Sequence, residues 1–440
     1  MARGRCPTHP AQGAAVSAPG LEPPEQSATL RTLVAAQVFS GAGLAAGVSV
    51  GALLAEDMLG TTGLAGIPSA LFTLGSAAAA VMVGRISNRR GRRIGLALGY
   101  AVGAVGSVAV VAAAAIDSVP FLLAALLIYG AGTATNLQAR YAGADLASPG
   151  RRGRAVSTVL VATTLGAVVG PNLVSPMGGV AEAVGVPRLA GPFMLAAVAY
   201  GAAGMVLFAR LRPDPLLLAR QLAPPQTPAL SQPLVPDGLI KVERGAVARG
   251  ASIMAITQIV MVAIMTMTPV HMKHHGHGVG ATGVVIAAHI AGMYLPSPLS
   301  GRLADRFGSR VLACASCSTL VVAGILAAVM PVDSVVGLAV ALAVLGLGWN
   351  LGLVAGTAII TDAVPLDRSA RTQGLVDVSI AIAGAGGGLG SGLVVSSTSY
   401  TTLAILGAAA ALAIVPIAVY SLGSSPRATG SSAERVEVAG

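Results

Sequence analysis

The sequence predicts an all-α membrane protein: twelve transmembrane helices arranged as two pseudo-symmetric six-helix bundles. Three observations predict it. Of 440 residues, 54% are hydrophobic and only 10% are charged, whereas a soluble domain carries about a quarter charged residues. Apolar stretches of about twenty residues recur along the chain, each long enough to cross a hydrocarbon core of about 30 Å as a helix. A charged signature in the first half returns in the second half at an offset of 217 residues, as an internal repeat does.

Residues 1–30 contain Pro7, Pro10, Pro19, Pro23 and Pro24 without a basic-then-apolar leader, and read as a disordered cytoplasmic tail. Spans are expected at 31–55, 62–84, 94–116, 120–142, 155–176 and 191–211, which form the first bundle, residues 31–211. Residues 212–246 carry seven prolines with the adjoining turn, Pro213 to Pro236, and read as a semi-extended cytoplasmic linker. The second bundle, residues 247–421, has spans at 247–269, 279–300, 310–331, 335–360, 373–396 and 400–421, followed by a cytoplasmic tail at 422–440. Helices are required because backbone amides in lipid must be paired within their own segment. The net charge of +10 sits in short loops, where basic residues set orientation. With the N-terminus inside, only Arg188 and Lys273 fall on the outer side. The charge therefore argues for topology rather than nucleic-acid binding, and the expected location is a bacterial cytoplasmic membrane with both termini inside.

The repeated signature is Gly84-Arg85-Ile86-Ser87-Asn88-Arg89-Arg90-Gly91-Arg92-Arg93, matched by Gly301-Arg302-Leu303-Ala304-Asp305-Arg306-Phe307-Gly308-Ser309-Arg310. Asp145 with Arg151 and Arg154 recurs as Asp362 with Arg368 and Arg371 at the same offset. The first signature resembles the loop after helices 2 and 8 in the major facilitator superfamily, and the resemblance covers residues 31–421. It implies the major facilitator fold and a cytoplasmic latch in which Arg89, Arg93, Arg302, Asp305, Arg306 and Arg310 pair with helix ends and with the opposite half. Asn88 stands where the family pattern has a carboxylate, so the N-terminal latch is expected to be the weaker one.

Five of six histidines and six of thirteen methionines lie between Met254 and Met293. The tract His271-Met272-Lys273-His274-His275-Gly276-His277 reads as an extracytoplasmic loop. Met261 and Met265, and His289 and Met293, are each four residues apart, so each pair shares one helix face. At about 1.5 Å per residue, Met265 and Met261 lie about 6 and 12 Å inside the outer end of span 7, and His289 and Met293 about 15 and 21 Å inside that of span 8. Thioethers with imidazole form a soft, neutral ligand set suited to Cu(I). Methionines also fill gaps in packing, and His289 could instead be a structural hydrogen-bonding group. The loop histidines could bind metal incidentally. The Met261–Met265 and His289–Met293 pairs resemble the MxxxM and HxxxM motifs of the copper-importing CcoA-like transporter family. That resemblance implies copper import for maturation of haem-copper oxidases, in a branch that also includes riboflavin importers.

Cys314 and Cys317 form a C-x-x-C in span 9; two small buried residues are the better account, with a metal exit site as the alternative. Asp377 is an acidic residue within a span and a candidate for a coupling proton, or a partner for Arg371. Asn136, Gln138, Arg140 and Tyr141 are expected to form a polar face of span 4 that either lines a cavity or bonds helices together. No nucleotide-binding loop or catalytic triad is present in the sequence, so secondary transport rather than catalysis is expected, with copper as transported substrate and no tightly bound cofactor. Expected partners are membrane lipid, the copper ion and a cytoplasmic copper acceptor, with neither nucleotide nor nucleic acid. The competing functions are a proton-linked drug exporter, for which six Phe and one Trp make a poor cavity, and a copper receptor that does not transport.

Overall fold

The computed structural model describes residues 22–59, 66–223 and 237–419. The first bundle consists of α1 (Glu25–Leu59), α2 (Gly66–Arg90), α3 (Arg92–Ala115), α4 (Val119–Ala144), α5 (Arg152–Ala183) and α6 (Gly191–Arg210). A short α7 (Pro215–Leu222) follows. The second bundle consists of α8 (Asp237–His274), α9 (Val279–Tyr294), α10 (Ser297–Phe307), α11 (Ser309–Val329), α12 (Val335–Ala363), α13 (Ser369–Ser397), α14 (Tyr400–Ala411) and α15 (Ile414–Val419). Nine segments among the described residues are long and apolar enough to cross a membrane. Helices α1, α2 and α5, of 35, 25 and 32 residues, complete the expected order.

Within each bundle the contact pattern repeats. Helix α4 packs on α1, α2 and α3, and its counterpart α12 packs on α8, α9 and α11. Small residues allow these approaches: a Cβ on Gly75 would lie 1.7 Å from the Leu127 carbonyl oxygen. The bundles meet where α2 crosses α13 and where α5 crosses α10. The second core also takes in Ala144, Val156 and Leu160 from the first bundle. Both crossings involve the ends that carry the arginine-rich turns, here termed the basic end; the histidine tract lies at the opposite end.

Several expectations are corrected. The repeated signatures are helical rather than looped: α2 continues to Arg90 and α10 to Phe307, and only Gly91 (φ 88°) and Gly308 (φ 85°) make the turn. A left-handed residue is needed at each point, and only glycine adopts it without strain. Helix α1 begins at Glu25, so the expected tail is shorter than 30 residues; residues 1–21, with Cys6, lie outside the described residues. The linker begins with α7, whose N-cap Asp214 accepts hydrogen bonds from Leu216 N and Leu217 N at 3.1 and 3.2 Å, so the aspartate overrides the extended bias of nearby prolines. Residues 224–236 and 420–440 lie outside the description. Helix α8 continues to His274, so half of the histidine tract is helical. Span 8 is divided between α9 and α10, because Pro296 and Pro298 remove two amide donors. Asn350 Nδ2 supports the break by donating to Met293 O at 2.8 Å and to Ser297 Oγ at 2.7 Å.

Candidate transport site and gate

The hydrogen bonds and ion pairs that join the bundles gather at the basic end. Asp305, in the last turn of α10, accepts from Gly153 N at 2.8 Å and Arg154 N at 3.0 Å. It thereby caps the start of α5 in the opposite bundle, where a carboxylate meets both free amides and the positive end of the helix dipole. Arg152 pairs with Asp362 across the same boundary. The N-terminal copy uses different chemistry. Asn88 Nδ2 donates to Asp367 O at 2.7 Å, and Arg92, fully buried, holds Asp145 at 2.8 Å while bonding Gln373 Oε1 in the second bundle.

The other residues expected at the latch divide into two kinds. Arg93 stays within its own half: its N–H donates to Asp214 Oδ2 at 2.7 Å, and its guanidinium donates to Phe208 O at 2.7 Å while lying over the Phe208 ring. Arg89, Arg302, Arg306 and Arg310 are exposed. Arg302 donates back to Pro298 O, Arg306 lies over the Phe307 ring, and Arg310 borders a cavity of about 240 Å³ with Arg249, Ser309 and Asp362. Of these residues and their neighbours, Asn88, Arg92, Arg152 and Asp305 bond across the bundles at the basic end.

Deeper in the bundle, α4 and α13 are joined by a buried ion pair. Arg140 Nη2 lies 2.7 Å from Asp377 Oδ1, and the two side chains are 0% and 2% exposed. Arg140 Nε also donates to Thr357 Oγ1 on α12 at 3.1 Å, and Nη2 to Tyr141 OH at 2.9 Å. Asp377 Oδ2 has no hydrogen-bond partner. An unpaired lone pair on a buried carboxylate, in contact with a cation from the opposite bundle, is suited to receive a proton or a cationic group. Asp377 therefore pairs with Arg140 rather than with Arg371.

Gln138 does not share that face, because residues two apart on a helix point about 200° from one another; Asn136 lies one turn before Arg140 but bonds α1 instead. Asn136 belongs to a buried network within the first bundle. Its Nδ2 donates to Ser40 Oγ at 2.7 Å; Gln37 Nε2 bonds Asn136 O and Thr163 Oγ1; and Tyr100 OH donates to Gln37 Oε1 at 2.6 Å. Gln138 Nε2 ties α4 to Ala80 O on α2 at 2.7 Å. Both side chains bond neighbouring helices of the first bundle. Tyr100→Phe is expected to cost about 1 kcal/mol, the usual worth of such a bond within a membrane bundle, and a thermal-unfolding series on the purified protein measures it.

The sulfur and imidazole donors lie on two helices that scarcely touch each other and that both pack on α12. On the α8 side, Met254 lies against Gly356 and Thr257 against Gly352; on the α9 side, the backbone of His289 and Met293 lies against Gly346. Spans consecutive in sequence are thus bridged by a third helix. Met261 is buried, and Met265 and Met293 are half-buried. His289 is 0% exposed, with Nδ1 2.9 Å from Leu342 O and Nε2 without a partner. A carbonyl only accepts, so Nδ1 carries the proton and Nε2 presents a bare lone pair.

In the histidine tract, Met272 is buried and His274 is exposed. His271 stacks on Tyr400 with ring centroids 4.4 Å apart, His275 Nδ1 bonds His271 O at 2.8 Å, and His277 Nε2 bonds Val332 O at 2.7 Å. Among the described residues, no group of three or more His, Cys, Asp or Glu side chains is placed to hold a metal ion. Cys314 is half-buried and Cys317 lies in the core of the second bundle.

The family model for the Major Facilitator Superfamily matches residues 32–352 and 250–439. The chain belongs to the major facilitator superfamily. This facilitator is 52% identical over 409 residues to the uncharacterized MFS-type transporter YdeG of Bacillus subtilis, covering 93% of this chain and 95% of that one. It is 29% identical to the riboflavin transporter RfnT of Brucella anthropi, covering 81% of this chain and 86% of that one. The human organic anion transporter MFSD10 (TETRAN) superposes with a TM-score of 0.72 at 15% identity, covering 90% of this chain and 100% of that one. The facilitator is therefore a multi-pass membrane transporter with the all-α major facilitator fold. Arg92, Arg152, Gln373 and Thr357, which bond across the bundles, were missed in the sequence. Arg92 sits inside the quoted signature, but its partner Asp145 is 53 positions away, a separation that only folding closes.

Proposed function

We propose that this facilitator imports copper as Cu(I) across a bacterial cytoplasmic membrane by alternating access, with its basic end and both termini in the cytoplasm. The observation that carries the reading is His289: a buried imidazole whose Nδ1–H is held by the Leu342 carbonyl and whose Nε2 lone pair is unpartnered. That is how a ligand histidine is oriented, its second nitrogen fixed by a backbone acceptor. Met293 follows one turn later on α9, and Met261 and Met265 lie on α8, the other α12-packed helix. The donor set is soft and uncharged, suiting Cu(I) over hard divalent cations. His271, His274, His275 and His277 would receive the ion at the outer end, and a cytoplasmic acceptor would take it after the basic end opens. Asp377 would carry a coupling proton.

Purified protein in proteoliposomes with radiolabelled copper and a reductant tests this. Accumulation beyond one ion per chain is expected, and His289→Ala and Met293→Leu should lower it by on the order of tenfold or more. Copper bound once per chain without accumulation would indicate a receptor. Riboflavin accumulation without copper accumulation would assign the facilitator a flavin cargo instead, as the similarity to RfnT suggests.

A further inference from the structure

The linker helix α7 is tied at both ends to the gate. At its start, Asp214 accepts from Arg93 N at 2.7 Å while capping α7; a Cβ on Gly91 would fall 2.3 Å from the Asp214 carboxylate. Near its end, the half-buried Arg220 reaches both bundles. Nη1 donates to Asn88 O at 2.9 Å and Nη2 to Asn88 Oδ1 at 3.1 Å on α2. Nε and Nη2 donate to Leu366 O at 3.0 and 2.8 Å, and Nη2 to Asp367 O at 3.1 Å, in the turn between α12 and α13. Asn88 Nδ2 closes the triangle on Asp367 O at 2.7 Å.

We propose that Arg220 is a gate-positioning residue, supplied by the linker, that replaces the carboxylate latch missing from the N-terminal repeat. The C-terminal copy closes directly, through Asp305 on the α5 amides. At position 88 an amide cannot offer the charge that a helix start attracts. The guanidinium instead gathers neutral oxygens of three residues on two chain segments, which its planar fork of five donors allows. These oxygens belong to opposite bundles, so the hub exists only while the basic end is closed. A guanidinium bonded to several carbonyls holds each of them more strongly than neutral donors would. The linker is then part of the gate, and the weaker latch expected from Asn88 is compensated from outside the repeat.

This rests on the alternating motion of the bundles and not on the cargo, so it can fail while the copper reading stands, and the reverse. The test uses the full chain in lipid nanodiscs, with spin labels at Arg85 and Arg371 across the basic end, and separately at Val184 and Val284 at the other end. Arg220→Ala is expected to raise the ratio of open to closed populations at the basic end by roughly tenfold, with a matching contraction at the other end. Arg220→Lys should restore little, since an ammonium lacks the fork, and Asp214→Ala should act in the same direction by freeing the start of α7. Asn88→Asp, which places a carboxylate beside Arg220, should favour the closed form further. Distance distributions for Arg220→Ala and Asp214→Ala that superimpose on the parent, in well-folded protein, would overturn the assignment.

Discussion

Replacing Asp377 by alanine is expected to abolish uptake and to lower stability by about 3–5 kcal/mol, because it leaves the Arg140 guanidinium buried without a counter-charge. Neither partner is open to water, and lipid supplies none. Asp377→Asn also removes the counter-charge, but its amide oxygen can still accept from Arg140, so its stability cost should be smaller. An asparagine keeps the shape and permanently mimics the protonated acid, so the protein should fold and still bind cargo. The carboxylate attraction that binds α13 to Arg140 on α4 would be gone, and uptake should no longer respond to a proton gradient. Initial rates in proteoliposomes, with the gradient imposed or collapsed by an ionophore, measure this directly. Wild-type stimulation retained by Asp377→Asn would exclude the carboxylate as the proton carrier. Arg140→Lys should behave like a loss, because one ammonium cannot hold Asp377, Thr357 and the Leu137 carbonyl together.

The second large effect is steric. Where α2 crosses α13, a Cβ on Gly84 would lie 2.8 Å from Ala370 O, and one on Gly374 would lie 2.6 Å from Ala80 O. The obstructing atoms are backbone atoms of the opposite bundle, so they cannot rotate away, and the clash exists only while the basic end is closed. Gly84→Val or Gly374→Val should therefore trap the transporter open at that end without disturbing either bundle internally. Overpacking of this kind costs about 1–3 kcal/mol, comparable to the few kcal/mol that separate alternating states. In a background with Cys6, Cys314 and Cys317 replaced by serine, a cysteine at the buried position Ser369 reports the opening. Its alkylation by a maleimide should accelerate by about an order of magnitude in either variant. An unchanged rate, with uptake intact, would show that the crossing tolerates a side chain and is not a gate.

The fold was largely legible because a bilayer imposes it. Paired amides and a fixed hydrocarbon thickness turn apolar length into span count, and the signature around Gly84 and Gly301 turns two bundles into a repeat. The errors fell at span ends. There a single capping aspartate at Asp214, or the proline pair at Pro296 and Pro298, outweighs the average composition. At the candidate site, residue types were legible in the sequence where their partners were not. Asp377 and Arg140 were both singled out without being matched. Gln138 was assigned to the Arg140 face although helical periodicity separates it, and Asn136, one turn from Arg140, bonds α1 rather than α13.

What the sequence by itself determined is therefore local and periodic: which stretches enter lipid, which halves are copies, and where sulfur, imidazole and charge are concentrated. Only the tertiary structure decided that α12 stands between α8 and α9, that Arg140 meets Asp377, and that a linker arginine closes the gap left by Asn88. The physical reason is the separation in sequence. Span formation depends on hydrogen bonds within a few residues, which composition reports. The gate and the buried pair depend on side chains more than a hundred residues apart, chosen by helix packing that no single segment encodes.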